Sequence, residues 1–313
     1  MKAVVCEHLG RPVGVRDVPL PEPGPKEIQV RVVAAGVNPI DWKLCERGDR
    51  RMPFVLGQDF AGVVSDVGNR VTKYRVADRV FGIARDHGAY AQFTVIPEDD
   101  GPQPIAKVPA EVGDADAAAL PTAGLTALAA LDWLGVGRGT SVLIVGATGG
   151  VGSYAVQMAR DRGAHIVGTA AGTSEPFARE LGVDEFVAYD RDDVAASVRQ
   201  THPDGVDAVL DLVDDARGIG RIAGVVRSGG KIVSTIGAID PQALRERELS
   251  GNNLSMQQSP ASSHAGLRAL LEMLERGAVR TFIASEEPLE EATRALERSK
   301  RGTVNGKLIL TVD

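Results

Sequence analysis

The sequence predicts an α/β fold in which a doubly wound parallel sheet is joined to an all-β, barrel-like region. Three observations predict it. Residues 140–152 read T-S-V-L-I-V-G-A-T-G-G-V-G, an apolar run that breaks into glycines and then becomes helical. Beyond them, short apolar strands alternate with helical segments as far as residue 236. Before them, β-rich runs are punctuated by proline and glycine clusters.

In chain order, the β-rich runs are residues 4–5, 27–34, 61–67, 79–83 and 90–95. Residues 19–25 (P-L-P-E-P-G-P) can only be an extended connection, because proline fixes φ and lacks an N–H. Such short strands between turn signals predict a compact barrel-like region. Residues 111–134 turn helical and alanine-rich, marking a crossover. Residues 142–145 read as a buried parallel strand and 154–162 as the helix after the glycines. Strands at 165–169, 186–188, 206–211 and 231–236, with helices at 175–181 and 193–199, complete the alternation. Units of this length predict a parallel sheet with its ligand at the carboxyl ends of the strands. After residue 261, Leu267, Leu270, Leu271 and Leu274 space one amphipathic helix. Phe282-Ile283, a second helix at 289–296 and a strand at 307–310 follow, the last returning to the first domain. The expected domains are 1–117, 118–259 and 260–313, the third rejoining the first.

At the glycine turn, the first amides of the helix point back at Thr148, Gly149, Gly150 and Val151. Unpaired N–H groups and the helix macrodipole both favour a pyrophosphate there. A tight turn between packed elements is the alternative that glycines alone leave open. The choice of nucleotide rests on the exit of the second strand, where an Asp or Glu commonly bonds the ribose 2′-hydroxyl of NAD. Here Thr169 and Ala170 lead into A-G-T-S, with no carboxylate to repel a 2′-phosphate. NADPH is therefore the expected cofactor, with Thr173 and Ser174 among the cofactor-binding residues and, since neither is basic, Arg179 and Tyr189 as candidate phosphate partners. A solvated helix-face charge is the ordinary explanation of Arg179.

The 313 residues suffice for about two domains. A hydrophobic content of 43% with 25% charged residues is that of a globular protein. The net charge of −7 and the lack of a basic stripe argue against a nucleic-acid partner. No apolar run approaches the roughly 18 residues of a membrane helix, and nothing resembles a signal peptide. Two cysteines, Cys6 and Cys45, are too few for a disulfide framework, and a cytoplasmic location is expected.

Five segments occur in one order: A-G-V-N-P-I-D-W-K (35–43), L-G-Q-D-F-A-G-V-V (56–64), G-A-Y-A (88–91), L-P-T-A-G-L-T-A (120–127) and G-G-V-G (149–152). Together with the closing G-K-L-I-L (306–310), they resemble the medium-chain dehydrogenase/reductase superfamily, in its zinc-free quinone oxidoreductase branch. The resemblance spans essentially the whole chain. It implies a GroES-like β-barrel catalytic domain, a Rossmann domain after it, and commonly a homodimer. In zinc-dependent relatives, ligands are expected where this chain has Asn38, Gln58 and Thr122, all poor replacements for thiolate and imidazole. Cys45 and His87 lack a paired motif at ligand spacing. No metal is expected.

Without a Lewis acid, oxidising a simple alcohol is hard, whereas hydride addition to a conjugated acceptor spreads charge onto a distant oxygen that hydrogen bonds can stabilise. The expected reaction is hydride transfer from NADPH to a quinone or to the β-carbon of an α,β-unsaturated carbonyl. Asn38 is the first candidate site residue, either orienting the nicotinamide or donating to the substrate oxygen; a turn residue before Pro39 is its plain alternative. Many quinone reductases carry tyrosine where this chain has Lys43, so Lys43 is the candidate proton donor, with an exposed lysine as the alternative. Asp41 would anchor Lys43 or the loop backbone. Thr126 matches a threonine that contacts the nicotinamide end, and Ile236 is expected beneath it. An enoyl-thioester reductase and a non-catalytic NADPH-binding sensor or structural protein are the competing readings.

Overall fold

The computed structural model describes residues 1–48, 50–84, 88–99, 104–256 and 259–313; His87 lies outside them. The chain forms two compact units, one of Met1–Leu125, Ser262–Leu271 and Thr281–Asp313, the other of Thr126–Ala261 and Glu272–Arg280. Among the described residues no helix is long and apolar enough to cross a membrane.

The first unit begins with β1 (Lys2–Cys6), β2 (Gly14–Asp17), β3 (Glu27–Val37), α1 (Pro39–Arg47), β4 (Phe54–Val55) and β5 (Asp59–Val67). It continues through β6 (Arg79–Ile83), β7 (Phe93–Pro97), β8 (Ile105–Lys107) and α2 (Asp114–Ala119), and the chain leaves it within α3 (Pro121–Leu134). Strands β2, β1 and β4 form a small antiparallel sheet. The long strand β3 is the spine of the larger one, pairing antiparallel with both β5 and β7. Its alternating Ile28, Val30 and Val32 are buried and pack with Phe60, Val64, Val80 and Ile96. At the end of β3, Gly36 is required by close approach: a Cβ there would lie 2.4 Å from the Ala118 carbonyl oxygen of α2. Helix α1 starts at once because Asn38 is extended, Pro39 stands at its first turn, and the Asp41 carboxylate accepts from the Asn38 amide at 2.8 Å.

The second unit holds β9 (Ser141–Val145), α4 (Gly150–Asp161), β10 (His165–Ala170), α5 (Glu175–Leu181), β11 (Glu185–Ala188) and α6 (Val194–Thr201). Then come β12 (Val206–Asp211), α7 (Ala216–Ile222), β13 (Val226–Ser234), α8 (Pro241–Arg245) and β14 (Ser250–Asn253). The chain joins the first unit at Ser262, passes back to the second within α9 (His264–Glu275), and rejoins the first at Thr281. The six strands are parallel throughout, in the order β11-β10-β9-β12-β13-β14. This is the 3-2-1-4-5-6 order of a doubly wound dinucleotide-binding sheet. The first unit closes with β15 (Ile283–Pro288), α10 (Ala292–Arg301) and β16 (Lys307–Thr311), the last paired antiparallel with β3.

Two expectations need correction, and two elements lie outside what the sequence pattern predicts. Strand β13 starts at Val226 and ends at Ser234, so Ile236 lies beyond it rather than within a strand over 231–236. The run expected over 90–95 begins as a strand only at Phe93, since Tyr90 and Ala91 are tied to β1 instead. Strand β14 (S-G-N-N) is paired by β13 although it has no apolar alternation to reveal it. Helix α7 (A-R-G-I-G-R-I) hides behind two glycines and is held by its N-cap Asp215, whose carboxylate accepts from Arg217 and Gly218.

Candidate functional site

In the second unit, β9 ends at Val145 and the chain turns through 146–149 into α4. The turn is pinned from β10: the Thr169 carbonyl accepts from the amides of Gly146 and Ala147 at 3.2 and 2.9 Å, and the Thr169 hydroxyl accepts from Gly146 at 3.3 Å. The turn's glycines are not equivalent. A Cβ on Gly152 would lie 2.1 Å from the Gly146 carbonyl oxygen, so packing alone demands glycine there. A Cβ on Gly149 would meet nothing nearer than 3.6 Å, at ordinary contact distance from the same oxygen. The fold does not need a glycine at 149. What its missing side chain leaves open is the approach to the amino end of a twelve-residue helix, whose first amides and dipole suit an anion.

A cavity of about 410 Å³ lies at the carboxyl ends of β9, β10 and β12, lined among others by Gly146, Thr169, Tyr189, Val213 and Arg221. Thr148 is buried, Val151 half-buried, Ala170 buried, Thr173 exposed and Ser174 buried. The exit of β10 carries one carboxylate after all, but from elsewhere in the chain: Asp190 accepts from the Gly172 amide at 2.9 Å. Beside it, the Arg191 guanidinium packs on Gly172, where a Cβ would lie 2.5 Å from its central carbon. Arg179 points to a different place, donating to the Asp184 carbonyl at 2.6 Å and to Glu175. Arg191 was missed because its proximity comes from the β10–β11 pairing and not from sequence spacing. Thr126 is buried within α3. The Ile236 amide donates to the Ser234 hydroxyl, which in turn donates to buried Asp211 at 2.8 Å.

In the first unit, four segments bring Asn38, Asp59, Thr122 and Lys307 together. The Asn38 carboxamide donates to Asp59 at 2.9 Å, and its oxygen accepts from Lys307 Nζ at 2.6 Å. Lys307 also donates to the Val37 carbonyl at 3.0 Å. Asp59 accepts from the Thr122 hydroxyl at 2.5 Å and from the Thr122 amide at 3.2 Å. A carboxylate that only accepts, here with an ammonium 3.9 Å away, has the pattern of an ionised group. Asp59, Lys307 and Asn38 are each at most 3% exposed. Burial pushes the Asp59 carboxyl up and the Lys307 ammonium down, each opposed by the other's charge.

Asp41 forms a second buried pair, accepting the Tyr90 hydroxyl at 2.7 Å. Its Oδ1 has no hydrogen-bond partner among the described residues. Burial pushes this carboxyl up to about 7, outweighing the bonds from Tyr90 and Asn38. Asp41 thus anchors the loop backbone. Lys43 is half-buried on α1 with Nζ 5.5 Å from the Trp42 ring centre, and burial first, then Arg47, lowers its pKa. Of the residues proposed from sequence, Asn38 and Asp41 are neighbours in one buried network. Asp59, Tyr90 and Lys307 join it from the segments 56–64, 88–91 and 306–310, where spacing alone marks none of them as a site residue. A lysine within an apolar closing strand was the available signal.

Residues 24–110 match the family model of the alcohol dehydrogenase GroES-like domain, and residues 181–310 that of the zinc-binding dehydrogenases. A chloroplast envelope quinone oxidoreductase homolog of Arabidopsis thaliana is 32% identical, over 94% of this chain and 92% of its own. A 2-methylene-furan-3-one reductase of Solanum lycopersicum is 28% identical, over 94% and 74%. The quinone oxidoreductase of Coxiella burnetii superposes with a TM-score of 0.90 at 31% identity, covering 100% and 99%. A structure described as an NAD-dependent alcohol dehydrogenase gives 0.88 at 30% identity, covering 100% of both chains. The Escherichia coli quinone oxidoreductase complexed with NADPH gives 0.91 at 25% identity, covering 99% and 100%.

Proposed function

Because the chain belongs to the medium-chain dehydrogenase/reductase superfamily, in its quinone oxidoreductase-like branch, we propose that it is an NADPH-dependent reductase of quinones or α,β-unsaturated carbonyls. The observation that carries the cofactor reading is the open space over Gly149 at the amino end of α4. A diphosphate fits there on the backbone amides of Gly150 and Val151, beside Thr148 and Gly149. Bound NADPH would supply the hydride.

For the 2′-phosphate we assign Arg191, which lies against Gly172 beside Thr173 and Ser174, with Tyr189 nearby in the chain. Asp190 is already engaged with the Gly172 amide, which offsets part of its charge. Thr169 and Ala170 hold the strand exit, while Thr126 and Ile236 are proposed at the nicotinamide end.

Zinc does not fit the donor set of the first unit. The positions expected to carry ligands hold Asn38, Gln58 and Thr122, and the oxygen of Asn38 is taken by the Lys307 ammonium at 2.6 Å. An ammonium in that place opposes a dication, and amide and hydroxyl oxygens are poor zinc ligands. No step is therefore routed through a metal. Asn38, with its amide engaged at both ends, is a positioning residue in this reading, and Asp41 holds the same loop. Lys43 is the proposed proton donor to the oxyanion formed on the acceptor: partial burial and the neighbouring Arg47 make its proton easier to release. A cytoplasmic homodimer completes the proposal.

The test is the loss of NADPH absorbance with ortho- and para-quinones, alkyl enones, enoyl thioesters and simple ketones. Turnover is expected with quinones or enones and with NADPH above NADH. Oxidation with none of them would leave a nucleotide-binding protein without turnover; turnover confined to enoyl thioesters would shift the substrate class. Lys43→Ala is expected to cut kcat by about 100-fold, the usual scale of a general acid, and an unchanged kcat would remove Lys43 from the reaction.

A further inference from the structure

Away from the strand exits, at the amino ends of β10 and β11, two imidazoles and a carboxylate converge. His165 is the first residue of β10, Glu185 the first of β11, and His202 the C-cap residue of α6. Both Nε2 atoms reach the same Glu185 oxygen, His165 at 2.6 Å and His202 at 3.1 Å. Among the described residues this is the group of three whose ligand atoms all lie within 4.8 Å of one another.

We infer that His165, Glu185 and His202 form a binding site for a divalent transition metal of the zinc type, at the edge of the sheet remote from the cofactor end. Two neutral imidazoles and one carboxylate are the ligand set that Zn²⁺ accepts with a water in the fourth position. A tetrahedral zinc needs its ligand atoms about 3.3 Å apart, given bonds of about 2.0 Å. The two imidazole–carboxylate separations, 2.6 and 3.1 Å, lie near that value, and all three ligand atoms are within 4.8 Å of one another.

The surroundings are those of a metal ligand set. The far nitrogen of His165, Nδ1, lies 3.6 Å from an Asp184 carboxylate oxygen, which itself accepts from the Ile166 amide at 2.8 Å. A carboxylate behind the ring, at ion-pair distance, favours a proton on Nδ1 once a metal takes Nε2. With both Nε2 atoms now directed at one oxygen, at least one of them carries a hydrogen in the metal-free protein. Binding the ion moves each such proton to Nδ1 or to solvent, and joins β10, β11 and α6 through one centre. The site sits five residues from the β10 exit, so its effect is on stability and not on hydride transfer.

The experiment uses the full chain without a histidine tag, stripped with chelator and titrated with Zn²⁺, Ni²⁺, Mg²⁺ and Ca²⁺ by calorimetry and thermal melting. One equivalent of Zn²⁺ is expected to bind and raise Tm, with no response to Mg²⁺ or Ca²⁺. His202→Gln and Glu185→Gln should each weaken Zn²⁺ binding at least about 10-fold, as should His165→Gln, with NADPH turnover retained. Asp184→Asn should weaken it by about 10-fold or more, the range for partners behind a ligand. X-ray absorption of the zinc form should show nitrogen and oxygen neighbours including imidazole. No uptake by the parent protein, parent-like binding by the two histidine variants, or a sulfur neighbour from Cys6 or Cys45 would each overturn the site.

Discussion

The buried centre of the first unit and the glycine turn of the second are built on opposite plans. The turn is made almost entirely of backbone: glycines, the amides of one helix, and a threonine from the adjacent strand, within residues 145–174. The buried centre is made of side chains from β5, α3, β16 and the entry to α1, residues 59, 122, 307 and 38. A backbone site needs empty space and tolerates few added atoms. A buried ionic network needs every partner, because removing one leaves a charge without compensation.

Lys307→Met sharpens this contrast most. Leaving Asp59 ionised and uncompensated should cost up to about 5 kcal/mol in urea unfolding, and adding Asp59→Asn should restore more than half of it. A loss below about 1 kcal/mol would show that the pair acts like a surface ion pair.

The next largest effect is one of pH. The Asp41 carboxyl is raised from 3.8 to about 7 in the fold. Between those values the native state holds the extra proton, so stability falls as pH rises. The contribution is whole below pH 3.8 and gone once pH passes about 7. Its size is on the order of 4 kcal/mol at about 1.4 kcal/mol per unit. Asp41→Asn should flatten that part of the stability profile; an equally steep slope in the variant would assign it to other groups.

The two glycines of the turn then divide stability from binding. Gly152→Ala should destabilise by about 3 kcal/mol, since its Cβ meets rigid backbone. Gly149→Ala should melt like the parent while binding NADPH at least about 10-fold more weakly, a loss of about 1.4 kcal/mol. Equal melting and equal binding of both variants would erase the distinction. The smallest effect is the most selective: Arg191→Ala should raise KM for NADPH by about 10-fold, or about 1.4 kcal/mol, and leave KM for NADH unchanged. A parallel change with both cofactors would place Arg191 elsewhere.

Contiguity explains what was legible. The alternating strands, the glycine turn and the helices at 175–181 and 193–199 are written in local periodicity and capping residues such as Asp193, which accepts from Ala196. Strand β14 and helix α7 escaped because a polar S-G-N-N and a glycine-broken helix are held by neighbours and caps, not by their own patterns. Asn38 was legible as a candidate site residue, but not that its amide would be taken at both ends.

By itself, then, the amino-acid sequence determined the fold class, the pattern of apolar faces and the place of the glycine turn, because these depend on neighbours within a few turns of chain. Only the tertiary structure decided which charges meet. Asp59 and Lys307 are 248 residues apart, His165 and His202 are 37 apart, and nothing local constrains either pairing. Strand pairing brings such groups within a few ångströms, and burial then makes each partner count.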